Sequence, residues 1–373
     1  MHGIRPVWAD IDLGAVRANV GTLRALVAPA ALCAVVKADA YGHGAIAVGR
    51  AAIEAGADCL AVALVEEGAQ LRDAGITAPT LVLSEPVQSA AETVVARSLT
   101  PVVYTVPGID ALAKAARTVG ASAAVDVHLK VDTGMHRVGC TPDEAVELAA
   151  HVADRSELRL GGVCTHFAVA DEPENPYTLE QKRVFDAVLA SIRGRGIPTG
   201  IVHACNTAGA ISFPGARYDM VRAGIGVYGI APAARLRGLV ELAPVLSLKA
   251  LVSHVQTVPA GTRVSYGLRY ETSRPTRLVT VPIGYADGVP RELPERGGEV
   301  LIAGRRRPIA GTVTMDQLMV DVADDPVEVG DEVVLLGRQG DAEVTAEEWA
   351  ERMGTIAYTI VCGVGPRVPR RYV

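Results

Sequence analysis

The chain is poor in amines. Its 36 basic residues are nearly all arginine, and the lysines are Lys37, Lys114, Lys130, Lys182 and Lys249 alone. A lysine kept unprotonated by burial is a nucleophile that can form a Schiff base with a carbonyl. Lys114 and Lys182 fall in helical stretches rich in alanine or charge, and Lys249 in an alternating strand pattern. Lys37 and Lys130 instead close apolar strand-like runs. By position alone a strand-end lysine is more often an ordinary one, since perturbed lysines are uncommon.

Other runs close on polar groups as well. Lys37 leads into Ala-Asp-Ala-Tyr41-Gly42-His43-Gly44, and Lys130 into Val-Asp132-Thr-Gly-Met-His136-Arg137. Further on come Thr165-His166-Phe167, His203-Ala-Cys-Asn206-Thr207 and Arg222-Ala-Gly224-Ile225-Gly226. Turns rich in Gly, Asn and Thr after the last two runs suit phosphate binding through backbone N–H groups. An arginine such as Arg222 is a usual partner for the pyridine nitrogen of pyridoxal phosphate. His43, His128 and His136 read as ordinary turn or strand histidines, and the histidines lack metal-ligand spacing.

The elements that must position these groups alternate from about residue 30 to 230. Apolar strands are predicted at Leu32–Lys37, Cys59–Ala63, Thr80–Leu83, Pro101–Tyr104, Ala123–Val131, Leu158–Thr165, Thr199–Ala204 and Tyr218–Val221. Amphipathic helical stretches separate most of them. Eight β/α units in this length predict an α/β fold, a closed (β/α)8 TIM-type barrel. The runner-up, an open doubly wound sheet, lacks the GxGxxG turn that would support it. After residue 240, strands such as Leu246–Val255, Leu278–Ile283, Val300–Ile302, Gln317–Val322 and Glu332–Leu336 are separated by Pro and Gly turns, with one helix at Ala346–Met353. That pattern predicts a mainly antiparallel β domain. The expected boundaries are 1–238 for the barrel and 239–373 for the second domain. Arg305–Arg307 reads as a solvated loop.

Composition removes several function classes. With a net charge of −6, no general basic field invites nucleic acid. No apolar run reaches membrane-spanning length, and the first residues lack a signal-peptide core. The six cysteines contain no CxxC pair, which reads as reduced thiols of a cytoplasmic protein.

The motifs closely resemble those of bacterial alanine racemases. The resemblance begins at Ala34-Val-Val-Lys37-Ala-Asp-Ala-Tyr41-Gly-His-Gly44 and runs through His128–Arg137, Thr165–Phe167, His203–Thr207 and Val221–Ile225. It continues through Val264-Ser-Tyr266-Gly, Gly284–Gly288, Met315-Asp316-Gln317 and Arg367–Arg370. It therefore spans nearly the whole chain in the family's order, and the set is far more specific than any one motif.

The resemblance implies interconversion of L- and D-alanine on a pyridoxal 5'-phosphate aldimine, supplying D-alanine for peptidoglycan. It makes Lys37 the cofactor anchor and one catalytic base. Tyr266 is the other base, reaching the site from the neighbouring subunit of a homodimer. Two bases on opposite faces of Cα are what inversion requires. The resemblance also assigns Tyr41, Arg137, His166, Asn206, Thr207, Arg222, Gly224, Ile225 and Tyr358 to the cofactor, and Arg137, Met315 and Asp316 to the substrate. Lys130 resembles a lysine that many members carbamylate. Thr207 stands where Ser is more usual, Thr312 where Arg is common, Thr314 where a small residue or Cys occurs, and Thr359 where Glu is common. The rival readings are a racemase for serine or another small amino acid, a pyridoxal-phosphate decarboxylase, and a non-enzymatic cofactor-handling protein. An acid usually faces the pyridine nitrogen in the decarboxylases, and the cofactor-handling proteins lack the second domain.

Overall fold

The computed structural model describes residues 4–373. The chain forms two compact units. One contains Val16–Ala40 and Ala45–Leu242. The other contains Met1–Ala15 (of which residues 4–15 are described), Tyr41–Gly44 and Ala243–Val373.

The first unit is built on a closed barrel of eight parallel strands. These are β1 (Ala31–Val35), β2 (Cys59–Val62), β3 (Thr80–Val82), β4 (Thr100–Val103), β5 (Val125–Lys130), β6 (Leu158–Cys164), β7 (Ile201–His203) and β8 (Met220–Ala223). Closure is made by β8 on β1, with Leu32 opposite Val221 and Cys33 opposite Arg222. Leu32, Leu60, Val103, Leu129, Val163, Val202 and Val221 are all buried. Continuous apolar strands of this kind are expected where both faces are covered.

The helix Val106–Val119 shows how the outer layer forms. Thr105 caps it by accepting from the Gly108 N–H, Pro107 sits in its first turn, and Gly120 ends it at φ 69°. Ile109, Leu112, Ala113 and Ala116 recur at helical spacing and are buried. That stripe holds the helix on the strands.

The second unit carries a seven-stranded sheet, a three-stranded sheet and a two-stranded ribbon. The large sheet includes Val7–Ile11, which pairs antiparallel with Leu246–Leu251 and parallel with Arg370–Tyr372. The first strand of the chain thus belongs to this unit and not, as expected, to the barrel domain.

Two further expectations are corrected. The run Leu246–Val255 is two strands, Leu246–Leu251 and His254–Val258, in different sheets. The Val252 N–H bonds to Asp331, whereas that of Ser253 bonds to Thr280, so the backbone changes sheets between consecutive residues. Arg305–Pro308 is a strand paired with Glu299–Ile302, not a loop. The hairpin turns through Ala303 and Gly304, at φ 51° and 71°. Two positive φ angles give the mirror-image turn that matches strand twist.

The Ala9 N–H donates to the Pro369 carbonyl at 2.9 Å, and Ala9 is fully buried. Ala9→Pro removes that donor in a sheet interior. The expected loss is about 3 kcal/mol or more in a urea titration. An unchanged midpoint would show that this strand contributes nothing to the sheet.

Candidate active site

The barrel places its reactive groups at the C-terminal ends of the strands. Lys37 does not end β1, as its apolar run suggests. The strand stops at Val35, and Lys37 opens a six-residue helical turn, Lys37–Gly42. Ala38, Asp39, Ala40 and Tyr41 have φ values of 51°, 51°, 54° and 55°, so this turn is left-handed. That conformation costs an L-residue roughly 1–2 kcal/mol, and its surroundings must enforce it.

In the barrel unit, Glu67 accepts from the Ala38 N–H at 2.6 Å and Asp39 from the Ala45 N–H at 2.8 Å. In the other unit, Arg370 donates to the Gly42 carbonyl at 2.9 Å. A Cβ on Gly42 would lie 2.7 Å from the Val361 carbonyl oxygen, and φ there is 82°, so only glycine fits. Lys37 is thereby presented from a strained but fixed loop.

Arg222, on β8, is buried and organises the barrel mouth. Its Nη1 donates to His203 Nδ1 at 2.5 Å. Its Nη2 reaches the carbonyls of Thr165 (2.9 Å) and Ala204 (2.8 Å), and His166 Nδ1 (3.1 Å). Its Nε–H has no acceptor among the described residues. A guanidinium only donates, so both histidines must accept at Nδ1 and carry their proton on Nε2. His203 Nε2 then donates to His128 Nδ1 at 2.8 Å, which places the His128 proton on Nε2 too.

Burial, reinforced by the Arg222 charge, holds His166 and His203 well below the usual histidine range. Burial likewise lowers His128 to about 4. All three are neutral at pH 7. His128 and His203 form the inner part of this network, although the sequence marks His128 as ordinary and assigns His203 no role.

Positive charge is concentrated around His166: Arg222, Lys130, Arg137 and Lys37 all lower it. Lys130, at the end of β5, is buried and pulled down to about 8, first by desolvation and then by Arg222, Arg137 and Lys37 against the opposing effect of Cys164. Arg137 is exposed and makes no hydrogen bond or ion pair among the described residues. Such a mouth suits a ligand carrying several negative charges.

At one side of the mouth Thr207 Oγ1 accepts from the backbone N–H groups of Gly224 (3.0 Å) and Gly226 (3.4 Å). This bond ties the turn after β7 to the turn after β8. Asn206 caps Thr207–Ser212, accepting from the Gly209 N–H at 2.9 Å. Ile225 starts the short helix that follows Gly224.

In the second unit, Tyr41 and Tyr358 lie with ring centroids 6.0 Å apart. Tyr266 projects outward at 72% exposure, beside Met315 at 52%. Both line a surface cavity of about 750 Å³, together with Tyr285, Arg291 and Asp316. Asp316 is held by Arg367 at 2.7 Å. The backbone under Tyr266 is clamped on both sides. Ser265 Oγ donates to the Thr312 carbonyl at 2.6 Å, and Thr312 Oγ1 donates to the Tyr266 carbonyl at 2.8 Å. Thr312 is buried, so it supports Tyr266 directly. Thr314 closes its own turn on Gln317, and Thr359 Oγ1 meets Thr355 Oγ1 at 3.2 Å.

Fold and site together define a barrel protein with a lysine-bearing, cationic mouth and a separate β unit that displays a tyrosine. Residues 11–232 match the family described as "Alanine racemase, N-terminal domain", and residues 245–372 match "Alanine racemase, C-terminal domain". The alanine racemase of Symbiobacterium thermophilum is 50% identical, covering 100% of this chain and 98% of the relative. That of Desulfovibrio desulfuricans is 44% identical over 99% and 98%. Among solved structures, alanine racemase from Streptomyces lavendulae has a TM-score of 0.93 at 41% identity, covering 100% of this chain and 98% of its own. The Bacillus anthracis alanine racemase solved with bound L-Ala-P has a TM-score of 0.92 at 37% identity, covering 100% and 96%. The chain belongs to the alanine racemase family.

Two predictions follow from this geometry. Unfolded histidines take up protons near pH 6.5, whereas the three buried ones resist protonation, His128 down to about pH 4. Their neutral form is therefore no burden above pH 6.5. Below it, stability falls by on the order of 1 kcal/mol per pH unit for each histidine. Urea titrations between pH 7 and pH 5 should show this fall, and His128→Gln should make it shallower. Ala38→Gly, at an exposed position of the left-handed turn, is expected to raise stability by up to about 1 kcal/mol. A loss in thermal or urea midpoint would contradict the strain.

Proposed function

We propose that the protein is an alanine racemase that interconverts L- and D-alanine with pyridoxal 5'-phosphate bound at Lys37. The carrying observation is the convergence of positive charge from Lys37, Lys130, Arg137 and Arg222 on His166. The cofactor fits this mouth. Its phosphate, phenolic oxygen and the substrate carboxylate are anionic, and the Nε–H of Arg222 is a donor suited to its pyridine nitrogen. When bound, pyridoxal phosphate would supply the electron withdrawal that acidifies the Cα–H bond.

The chain's own groups account for the rest. Lys37 Nζ takes or returns a proton on one face of Cα, and Tyr266 Oη does so on the other. An unaided tyrosine has a pKa of about 10, so the phenolate needs a donor. His166, made by Arg222 to carry its proton on Nε2, is a neutral donor of that kind. Arg222, a cation, would oppose protonation of the pyridine nitrogen if it faced it. This counts against a decarboxylase reading, since those enzymes use an acid at that place.

By the family resemblance Thr207, Gly224, Ile225, Tyr41 and Tyr358 would hold the phosphate, with Asn206 positioning the Thr207 turn. By the same resemblance Arg137 would contact the substrate carboxylate, Met315 and Asp316 would border it from the second copy of the chain, and Tyr358 would keep the pocket short enough to favour alanine. The lowered Lys130 amine is suited to attack CO2, losing a proton to give an anionic carbamate that pairs with Arg137.

The high exposure of Tyr266 supports a homodimer, because a base for this reaction must work away from bulk water. A second copy would both cover the phenol and receive it. The product would feed peptidoglycan synthesis in the cytoplasm. There thiols such as Cys33 and Cys59, in register on adjacent strands, stay reduced.

Borohydride reduction followed by peptide mapping is expected to find the pyridoxyl group on Lys37, and any other lysine would overturn the assignment. Lys37→Ala and Tyr266→Phe should each be nearly inactive alone. Unfolded and refolded together, they should recover about a quarter of wild-type activity, because half of the dimers then hold one intact shared site. No recovery would place both bases in one chain.

A further inference from the structure

The opposite end of the barrel, where the strands begin, is not closed by side chains. A cavity of about 730 Å³ lies there. Its walls include Ala31, Cys59, Leu81, Leu160, Ile201 and Met220. The volume falls in the range of small-molecule sites, and the walls are largely apolar with a few polar groups.

One polar group inside has no protein partner. His128 lines the cavity and is 6% exposed. Its Nδ1 is taken by His203, and its Nε2 has no hydrogen-bond partner among the described residues. The proton is on Nε2, because Arg222 fixes His203 and His203 fixes His128. The cavity therefore contains an N–H donor, not an acceptor. The ring has a dedicated place: a Cβ on Gly162 would lie 2.7 Å from His128 Nδ1, so only glycine at 162 lets the imidazole lie against β6.

The charges around the mouth are already satisfied. Asp126 pairs with Arg159 through two bonds, and Asp58 pairs with Arg24 and accepts from the Leu32 N–H at 2.7 Å. An anionic ligand would approach Asp58 and Asp126, and Arg159, which also lines the cavity, is already held by Asp126. A cation would meet the His128 N–H head on. An uncharged molecule with an apolar body and one acceptor matches both walls and donor.

We infer that the N-terminal mouth of the barrel is a second binding site, for a small uncharged apolar molecule whose carbonyl oxygen accepts from His128 Nε2. The site is separate from the C-terminal mouth and does not depend on the reaction proposed there. What joins the two is the hydrogen-bonded line Arg222–His203–His128, which fixes the donor of the lower site from the upper one.

Titration calorimetry of 4-phenylbutan-2-one into the full-length protein tests this. One ketone per chain is expected, at submillimolar affinity. Ile201 is 45% exposed, so Ile201→Trp can fill the cavity from its rim without disturbing the core. It should weaken binding at least about tenfold. His128→Leu should weaken it about tenfold, and His128→Gln, which retains a donor, should stay within about threefold of wild type. Absence of binding, or binding indifferent to Ile201→Trp, would overturn the site. Equal affinity in His128→Leu, or tenfold weakening in His128→Gln, would overturn the role of the donor.

Discussion

A buried guanidinium with no carboxylate beside it constrains this structure more than any other group. Stripping a charge of water is expensive unless every donor finds an acceptor. Arg222 meets that demand at its two terminal nitrogens with two carbonyls and two imidazoles drawn from the ends of β6 and β7, and leaves its Nε–H for a ligand. The acceptors are correctly placed only if β6, β7 and β8 lie side by side in the observed register. The same bonds then dictate which nitrogen of His166, His203 and His128 carries a proton. One guanidinium, which can only donate, thus sets hydrogen-bond polarity across the barrel interior.

The second constraint is conformational. Four consecutive residues after Lys37 hold positive φ angles that L-amino acids avoid. Hydrogen bonds from Glu67 and Asp39 fix the beginning of the turn, and Arg370 and the tight fit at Gly42 fix its end. A lysine side chain has much rotamer freedom. Mounting it on a backbone with few alternatives limits where its nitrogen can go. Tyr266 is treated similarly, with Ser265 and Thr312 locking its backbone while its ring stays outside.

The barrel was legible because its eight strands are mostly apolar runs and most are followed by a stripe of helical period. The barrel's candidate residues stood out because they follow those runs, whereas Tyr266, Met315, Asp316 and Tyr358 came only from the family resemblance. What escaped did so for physical reasons. The left-handed turn contains no glycine until Gly42, so nothing in its composition announces positive φ. The hairpin at Ala303–Gly304 lacks the Asn-Gly or Asp-Gly signal, and three arginines in a row resemble solvent-facing loop. The division at Val252 is invisible because both halves alternate as strands. His128 looks ordinary from its neighbours, and its partner lies 75 residues away. The support that Thr312 gives Tyr266 spans 46 residues and carries no local pattern.

The strand Val7–Ile11 has its partners at Leu246–Leu251 and Arg370–Tyr372. That strand is synthesised before the barrel segments and both of its partners after them. The barrel segments between them can collapse and close while the first strand still has unpaired N–H and C=O groups. An unpaired strand is a template for the wrong partner. The interval between barrel closure and synthesis of those partners therefore leaves this strand open to aggregation. A chaperone that shields one short N-terminal segment would protect it then.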